Sequence, residues 1–306
     1  MFSIRNISLL SFHKYLIELV PKSKYAHHFT SDELRTLQMD ILSIYLDIQA
    51  FCEKHKLTVM MGYGSALGAV RHQGFIPWDD DIDVLMPRAD YEFLINHFEE
   101  EYGDKYWAIN AEKSNKCCCY FGKVISKNTI YRPVGGDPNG MNGTFVDIFP
   151  IENFPKSHLK AKILKICDLL VKFAGSTLLS YKSNSPVIKD IMKQKHEAYI
   201  CYWLRKSIGF VFSFYSYQKW AKLYNKIVYC KEESGIYHDP TGDYRWKGYS
   251  YDVLFPVVKT KFEGYDVYVP HKVEDYLQSE FGSNYMSLPP VDKRPQHYAE
   301  EFKKLI

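Results

Sequence analysis

Between Leu57 and Met86 the chain leaves itself few folds to choose from. Leu57 to Met61 is an apolar run that reads as a buried strand. Gly62 and Gly64 make a turn after it, and a short helical piece is expected from Ala66 to His72. Aspartates then stand at 79, 80, 81 and 83 and run into the apolar segment Ile82 to Met86. Side chains alternate along a strand, so Asp81 and Asp83 are expected on one face, with Ile82 and Val84 anchoring the other. Carboxylates this close raise each other's pKa, and a bound Mg²⁺ removes that penalty. Small residues at the turn let backbone N–H groups approach an anion, and the dipole of the following helix adds to the attraction. A phosphate cradle followed by metal-binding carboxylates is a layout suited to phosphoryl transfer.

Three rival readings of the stretch fare worse. Gly62-x-Gly64 after a strand resembles the start of a dinucleotide turn, but position 67 is Leu and the next glycine is Gly68. A ribose also takes one carboxylate, not four. An EF-hand loop from Asp79 would need glycine at its sixth position, where Val84 stands, and a glutamate at its twelfth, where Asp90 stands. A merely solvated acidic loop would not alternate with Ile82 and Val84 as a half-buried strand does.

The run from Gly64 through Ser65, Arg71, His72, Phe75 and Trp78 to Asp83, followed by Met86-Pro87-Arg88, resembles the signature of the LicD family. That family is named for phosphocholine transferases of bacterial surface glycans, with fukutin-related proteins as distant members. The resemblance implies an α+β fold of the DNA polymerase β nucleotidyltransferase type: a mixed sheet flanked by helices, here with an inserted basic helical lobe. It implies Asp81 and Asp83 as metal ligands, Gly64 and Ser65 against the donor phosphates, and Arg71 offsetting their charge. Asp79 and Asp80 are expected to orient the loop, and Trp78 with nearby tyrosines offers a cation–π box for a quaternary ammonium.

Composition is ordinary for a soluble globular protein: 306 residues, 46% hydrophobic and 25% charged. No apolar run approaches the roughly 18 residues that span a bilayer, and the N-terminus lacks a signal-peptide pattern. Seven cysteines without a Cys-x-x-Cys pair, three of them adjacent at 117 to 119, indicate reduced thiols in a cytoplasm. The triplet is expected as strand core.

In chain order, Thr30-Ser31-Asp32-Glu33 forms a capping box. Leu34, Leu37, Ile41, Ile44, Tyr45, Ile48, Phe51 and Cys52 follow at helical spacing. Pro87 opens another helix, closing near Gly103, and Tyr106–Asn110 and Cys117–Ser126 read as strands. Lys123 matches the family's basic residue beside the site; it either meets a donor phosphate or is a solvated edge charge. Residues 135–143 read as a loop bordering the site, leading into Thr144 to Glu152. There Asp147 lies alone among Phe145, Val146, Ile148 and Phe149, so it must be paired or bind a cation. The family resemblance makes it the third metal carboxylate and the group nearest the acceptor. A salt bridge to a buried arginine is the bland alternative.

From Lys156 to Lys231 the chain holds 14 Lys and one Arg against Asp168, Asp190 and Glu197, a balance of 15 − 3 = +12 within a total of +3. Helices broken near Ser183 to Pro186 are expected. A basic, aromatic lobe suits an anionic membrane surface or polyanionic glycan, and equally a set of solvated lysines. No nucleic-acid motif accompanies it. A strand at Tyr249 to Phe255, a hairpin turning at Glu263-Gly264 and a helix from Val273 to Phe281 complete the pattern. The division expected is 1–56 as an N-terminal helical region, 57–155 as catalytic core, 156–240 as the lobe and 241–306 returning to the core.

These readings together give an Mg²⁺-dependent enzyme, with Mn²⁺ as the alternative ion. Asp81, Asp83 and Asp147 would be its metal ligands and catalytic residues, and Gly64, Ser65, Arg71 and Lys123 would bind the donor. The resemblance implies CDP-choline as donor and a sugar hydroxyl of a lipopolysaccharide, teichoic acid or capsule, lipid-linked or not, as acceptor. The cysteines point to a cytoplasmic location, and the basic lobe leaves open a peripheral place at the inner face of the membrane. Phosphoethanolamine, glycerol phosphate or nucleotidyl transfer, or a lapsed glycan-binding protein, are the alternatives. His297 is either an acid or base at the site or a structural residue.

Overall fold

The computed structural model describes residues 12–134, 140–242, 246–291, 294 and 298–305. His297 and part of the 135–143 loop lie outside the described residues. The fold is α+β, a mixed sheet flanked by helices.

Helix α1 (Phe12–Leu19) and a two-residue strand β1 (His27–His28) precede α2 (Ser31–His55). The capping box forms as the sequence predicts: the Thr30 side chain accepts from the Glu33 N–H, and Glu33 reaches back to the Thr30 N–H at 2.9 Å. Lys56 ends the helix in the left-handed region at φ 57°. Of the run after it only Met60–Met61 is strand (β2), and the next helix, α3 (Tyr63–His72), starts earlier than expected. Gly64 and Ser65 therefore sit in its first turn, where backbone N–H groups have no partner within the helix. Strand β3 (Asp83–Pro87) leads into α4 (Arg88–Tyr102), then β4 (Tyr106–Ile109), β5 (Gly122–Ser126), β6 (Thr129–Pro133) and β7 (Phe145–Asn153).

The main sheet runs in the order β2-β3-β7-β5-β4, with β3 parallel to β7 and the other pairs antiparallel. One face is dry: Val84, Val124, Val146 and Ile148 are fully buried, in one core with Ile41, Ile48 and Phe98 of α2 and α4. Burial of each such side chain is worth about 1.5–3 kcal/mol. That core fixes which side chains point the other way.

The Cys117–Cys119 triplet is not strand core. It precedes β5, and Cys117 packs in a small cluster with Ile109 and Ile125 while Cys118 and Cys119 are half-buried. All seven cysteines are thiols, not disulfides.

Four helices follow the sheet: α5 (His158–Lys182), α6 (Pro186–Lys193), α7 (His196–Val211) and α8 (Tyr217–Val228). Ser157, Ser185 and Ser216 cap three of them through their hydroxyls. Helix α1 joins this group, with Tyr15 and Leu19 packed among Ile191, Met192 and Cys201.

Strand β8 (Ile236–His238) returns to the end of β7, and β9 (Tyr249–Ser250) pairs with it. The strand expected over Tyr249 to Phe255 stops there, because Tyr251–Leu254 turns into the short helix α9, with the Phe255 N–H on the Tyr251 carbonyl. The hairpin β10 (Val258–Phe262) and β11 (Tyr265–Val269) turns where expected, with φ 51° at Glu263 and 85° at Gly264. Helix α10 (Val273–Phe281) ends at Gly282, φ 86°. The last strand, β12 (Tyr298–Lys304), pairs with β1 and β6 in a second sheet. No described helix is long and apolar enough to cross a membrane.

Candidate active site

Register brings the first site residues together. Asp83 of β3 lies opposite Asp147 of β7, and Asp147 opposite Lys123 of β5. Residues directly across a ladder share a face, so two carboxylates and an ammonium form a row over three neighbouring strands, opposite the apolar core. Lys123 Nζ meets Asp147 Oδ1 at 2.5 Å and lies 3.5 Å from the centroid of the Phe145 ring. The two readings open for Asp147 and Lys123 thus meet in one ion pair: the lone acid's partner is this lysine, not an arginine.

The strand begins at Asp83, not at Asp81. Even so, the alternation reaches back beyond it: Ile82 is buried, its carbonyl accepts the Asp147 N–H at 3.1 Å, and Asp81 and Asp83 on either side are partly buried. Asp79, Asp80 and Asp81 form a tight group in the loop before the strand, with carboxylate oxygens within 4.8 Å of one another. Tyr131 of β6 donates its hydroxyl to Asp80 at 2.7 Å, and Gln38 of α2 donates to the Asp79 carbonyl at 2.9 Å. Two distant elements therefore hold this loop against its own repulsion.

The glycine turn is bound to the acidic row directly. The Asp83 N–H donates to Ser65 Oγ at 2.8 Å, which leaves the buried serine's own hydroxyl proton for another acceptor. A Cβ at Gly64 would stand 3.0 Å from Asp79 Oδ2, so the glycine is what lets the first turn of α3 and the acidic loop approach. Gly68 does the same one turn on, where a Cβ would meet the Gly74 carbonyl oxygen at 2.6 Å. The first turn of α3 and the carboxylates of the acidic loop are thus immediate neighbours.

Electrostatics follow from this crowding. Burial, then Asp81, Asp147 and Asp79, push the Asp83 carboxyl well above the carboxylate range, and Lys123 opposes them. Burial also raises Asp147, against the pull of Lys123. Burial lowers Lys123, but Asp147 and the neighbouring thiols outweigh it and leave the ammonium above its ordinary value. An all-oxygen donor set with surplus negative charge fits a hard divalent cation such as Mg²⁺. Asp79, Asp80 and Asp81 are close enough together to hold one. Of the expected ligands Asp81, Asp83 and Asp147, Asp81 belongs to that group, while Asp83 and Asp147 stand in the neighbouring row with Asp147 paired to Lys123.

Two expected donor contacts have other partners. The Arg71 guanidinium donates to the carbonyls of Tyr285 (2.8 Å) and Ser287 (3.4 Å), tying the segment after α10 to α3. It still feels the Asp79 charge. The Trp78 face is covered by the Arg294 guanidinium at 4.4 Å.

Sequence reasoning also missed a buried polar cluster behind α3. Tyr63, at φ 43°, donates its hydroxyl to Asp239 at 2.5 Å, and Asp239 further accepts from Thr241 and Gly242 N–H groups. The Asp239-Pro-Thr-Gly242 turn was the available signal. Arg88, just past β3, donates to buried Glu152 at 2.6 Å. Beside the row, a cavity of about 630 Å³ opens between sheet and lobe, lined by Lys123, Tyr131 and Phe145 on one side and Ser176, Ser180 and Arg205 on the other.

Residues 56–173 match the family described as LicD/FKTN/FKRP, nucleotidyltransferase domain. They begin just before β2 and reach into α5, so they hold the glycine turn, the acidic loop, Lys123 and Asp147. The chain is also 29% identical over 274 residues to the lipopolysaccharide cholinephosphotransferase LicD of Haemophilus influenzae, covering 88% of this chain and 97% of that protein. Residues 56–173 thus carry a domain of the LicD kind. A shorter likeness, 26% identical over 80 residues, covers 26% of this chain and 30% of an uncharacterized Rickettsia prowazekii protein, RP689. The likeness to the LicD protein extends through the helical lobe as well as the sheet.

Proposed function

We propose that this chain is a transferase that moves phosphocholine from CDP-choline onto a sugar hydroxyl of a cell-surface glycan of the lipopolysaccharide kind, releasing CMP. The observation that carries the reading is the row Asp83–Asp147–Lys123 joined through Ser65 to the start of α3. Choline and lipopolysaccharide rest on what the Haemophilus influenzae relative is called.

Each residue has a task in such a transfer. The first-turn N–H groups of α3 at Gly64 and Ser65, with the Ser65 hydroxyl, hold donor phosphate oxygens. Lys123 neutralises charge developing on the transferred phosphate and keeps Asp147 oriented. Asp147, raised by burial and paired with Lys123, which lines the cavity, takes the proton of the acceptor hydroxyl as it attacks phosphorus. The phosphoanhydride bond breaks as the new P–O bond forms, and CMP leaves. A divalent cation, Mg²⁺ or Mn²⁺, bound at Asp79, Asp80, Asp81 and Asp83 would supply Lewis acidity to the phosphates.

The test is a donor profile. Purified protein with a glycan acceptor extract is offered CDP-choline, CDP-ethanolamine, CDP-glycerol and CTP, with and without Mg²⁺. Mg²⁺-dependent CMP release from CDP-choline is expected. Release from another donor alone would keep phosphoryl transfer and discard choline.

A further inference from the structure

Helix α5 has two outward lives. Its C-terminal half lines the cavity through Ser176 and Ser180. Its N-terminal half turns apolar side chains to solvent: Leu159, Ile163, Ile166 and Leu170 are between 52% and 69% exposed. Their spacing of four, three and four puts all of them on one helical stripe. Phe173, next on that line, meets the Phe212 ring edge-on at 6.4 Å, which joins the stripe to exposed Phe210, Val211 and Phe214 at the end of α7. A soluble surface rarely leaves so continuous a patch uncovered.

We infer that this face of α5 and the end of α7 is a docking surface for an anionic lipid bilayer. Charge chooses the bilayer over the other occupants. Lys156, Lys160 and Lys162 border the stripe, and the helix's one acid, Asp168, is buried against Lys172 and Trp246 on the inner side. Glu232 pairs with Lys160 at 2.5 Å and offsets its charge, so the basic rim rests on Lys156 and Lys162. A second copy of the chain would set these lysines against one another. A soluble polyanion would use the lysines and leave the apolar stripe wet. A bilayer with anionic headgroups takes both, acyl chains against the stripe and headgroups against the rim. The inference stands apart from the transfer reaction, since it uses none of the residues assigned to it. Its consequence is that the cavity lined by the same helix is held near a membrane surface.

The experiment is co-sedimentation of the full chain with phosphatidylglycerol-containing vesicles and with pure phosphatidylcholine vesicles. Wild type is compared with Ile163→Glu/Leu170→Glu and with Lys156→Gln/Lys162→Gln. Both variants alter exposed side chains, and unchanged thermal melting verifies their fold. Binding to the anionic vesicles, weakened about tenfold or more by either variant, is expected, with the lysine-dependent part screened by salt. Equal binding by the glutamate variant would overturn the inference, as would no vesicle binding by wild type. A wild-type dimer in light scattering that the glutamate variant makes monomeric would also overturn it and assign the face to a second copy.

Discussion

Replacing Lys123 by Met leaves Asp147 buried with no counter-charge, and replacing Asp147 by Asn leaves the lysine in the same position. The two side chains are 17% and 13% exposed and meet at 2.5 Å. An exposed ion pair is worth about 0.2–1 kcal/mol, whereas breaking a buried one costs about 3–5 kcal/mol. A pair this enclosed but open to a cavity falls between, at about 2–3 kcal/mol for either single change. The double variant removes both charges, so its loss should fall short of the sum of the singles by about 2 kcal/mol. Urea unfolding of the four proteins at pH 7 measures this as midpoint shifts at constant slope. A coupling within about 0.5 kcal/mol of zero would refute the claim that lysine and aspartate act as one buried unit.

Other expectations rest on single contacts. Ser65→Ala removes the acceptor of the Asp83 N–H and should cost about 1–3 kcal/mol in unfolding free energy. It should also lower CMP release more than Ser65→Thr, which keeps the hydroxyl; equal rates would show that the hydroxyl does nothing. Burial raises Glu152 from 4.5 to about 7 against the pull of Arg88. A carboxyl with a raised folded pKa holds its proton more tightly when folded, so stability should fall as pH rises from 4.5 to 7, by about 3 kcal/mol from this group. Unfolding curves of wild type and Glu152→Gln across that range should diverge in slope by this amount, and parallel curves would contradict it.

What the sequence made legible was mostly local. The capping box, the turn at Glu263-Gly264 and the Gly282 stop are chemistry of a few adjacent residues, and each forms where the residues demand. Asp83, Asp147 and Lys123 were each singled out by type. Their shared row was not readable, because it depends on the register of three strands and joins residues 24 or more positions apart in sequence. Strand β12 was missed for a different reason: Ala-Glu-Glu-Phe-Lys-Lys has the local preferences of a helix, and pairing with β1 and β6 overrides them. Losing β6 hid Tyr131, and with it the hydrogen bond that anchors Asp80. The start of α3 was displaced because glycine is a poor helix former, while the close approach of Asp79 to Gly64 needs one there.

The central claim is that the row under the acidic loop performs the transfer. It is tested most directly by CMP release from CDP-choline with Mg²⁺ and a glycan acceptor, comparing wild type with Asp83→Asn after equal thermal melting has been established. The account predicts metal-dependent release by wild type and a loss of about a hundredfold or more in the variant, the scale on which removed transition-state stabilisation reports. Release by Asp83→Asn at the wild-type rate would place the chemistry elsewhere in the molecule.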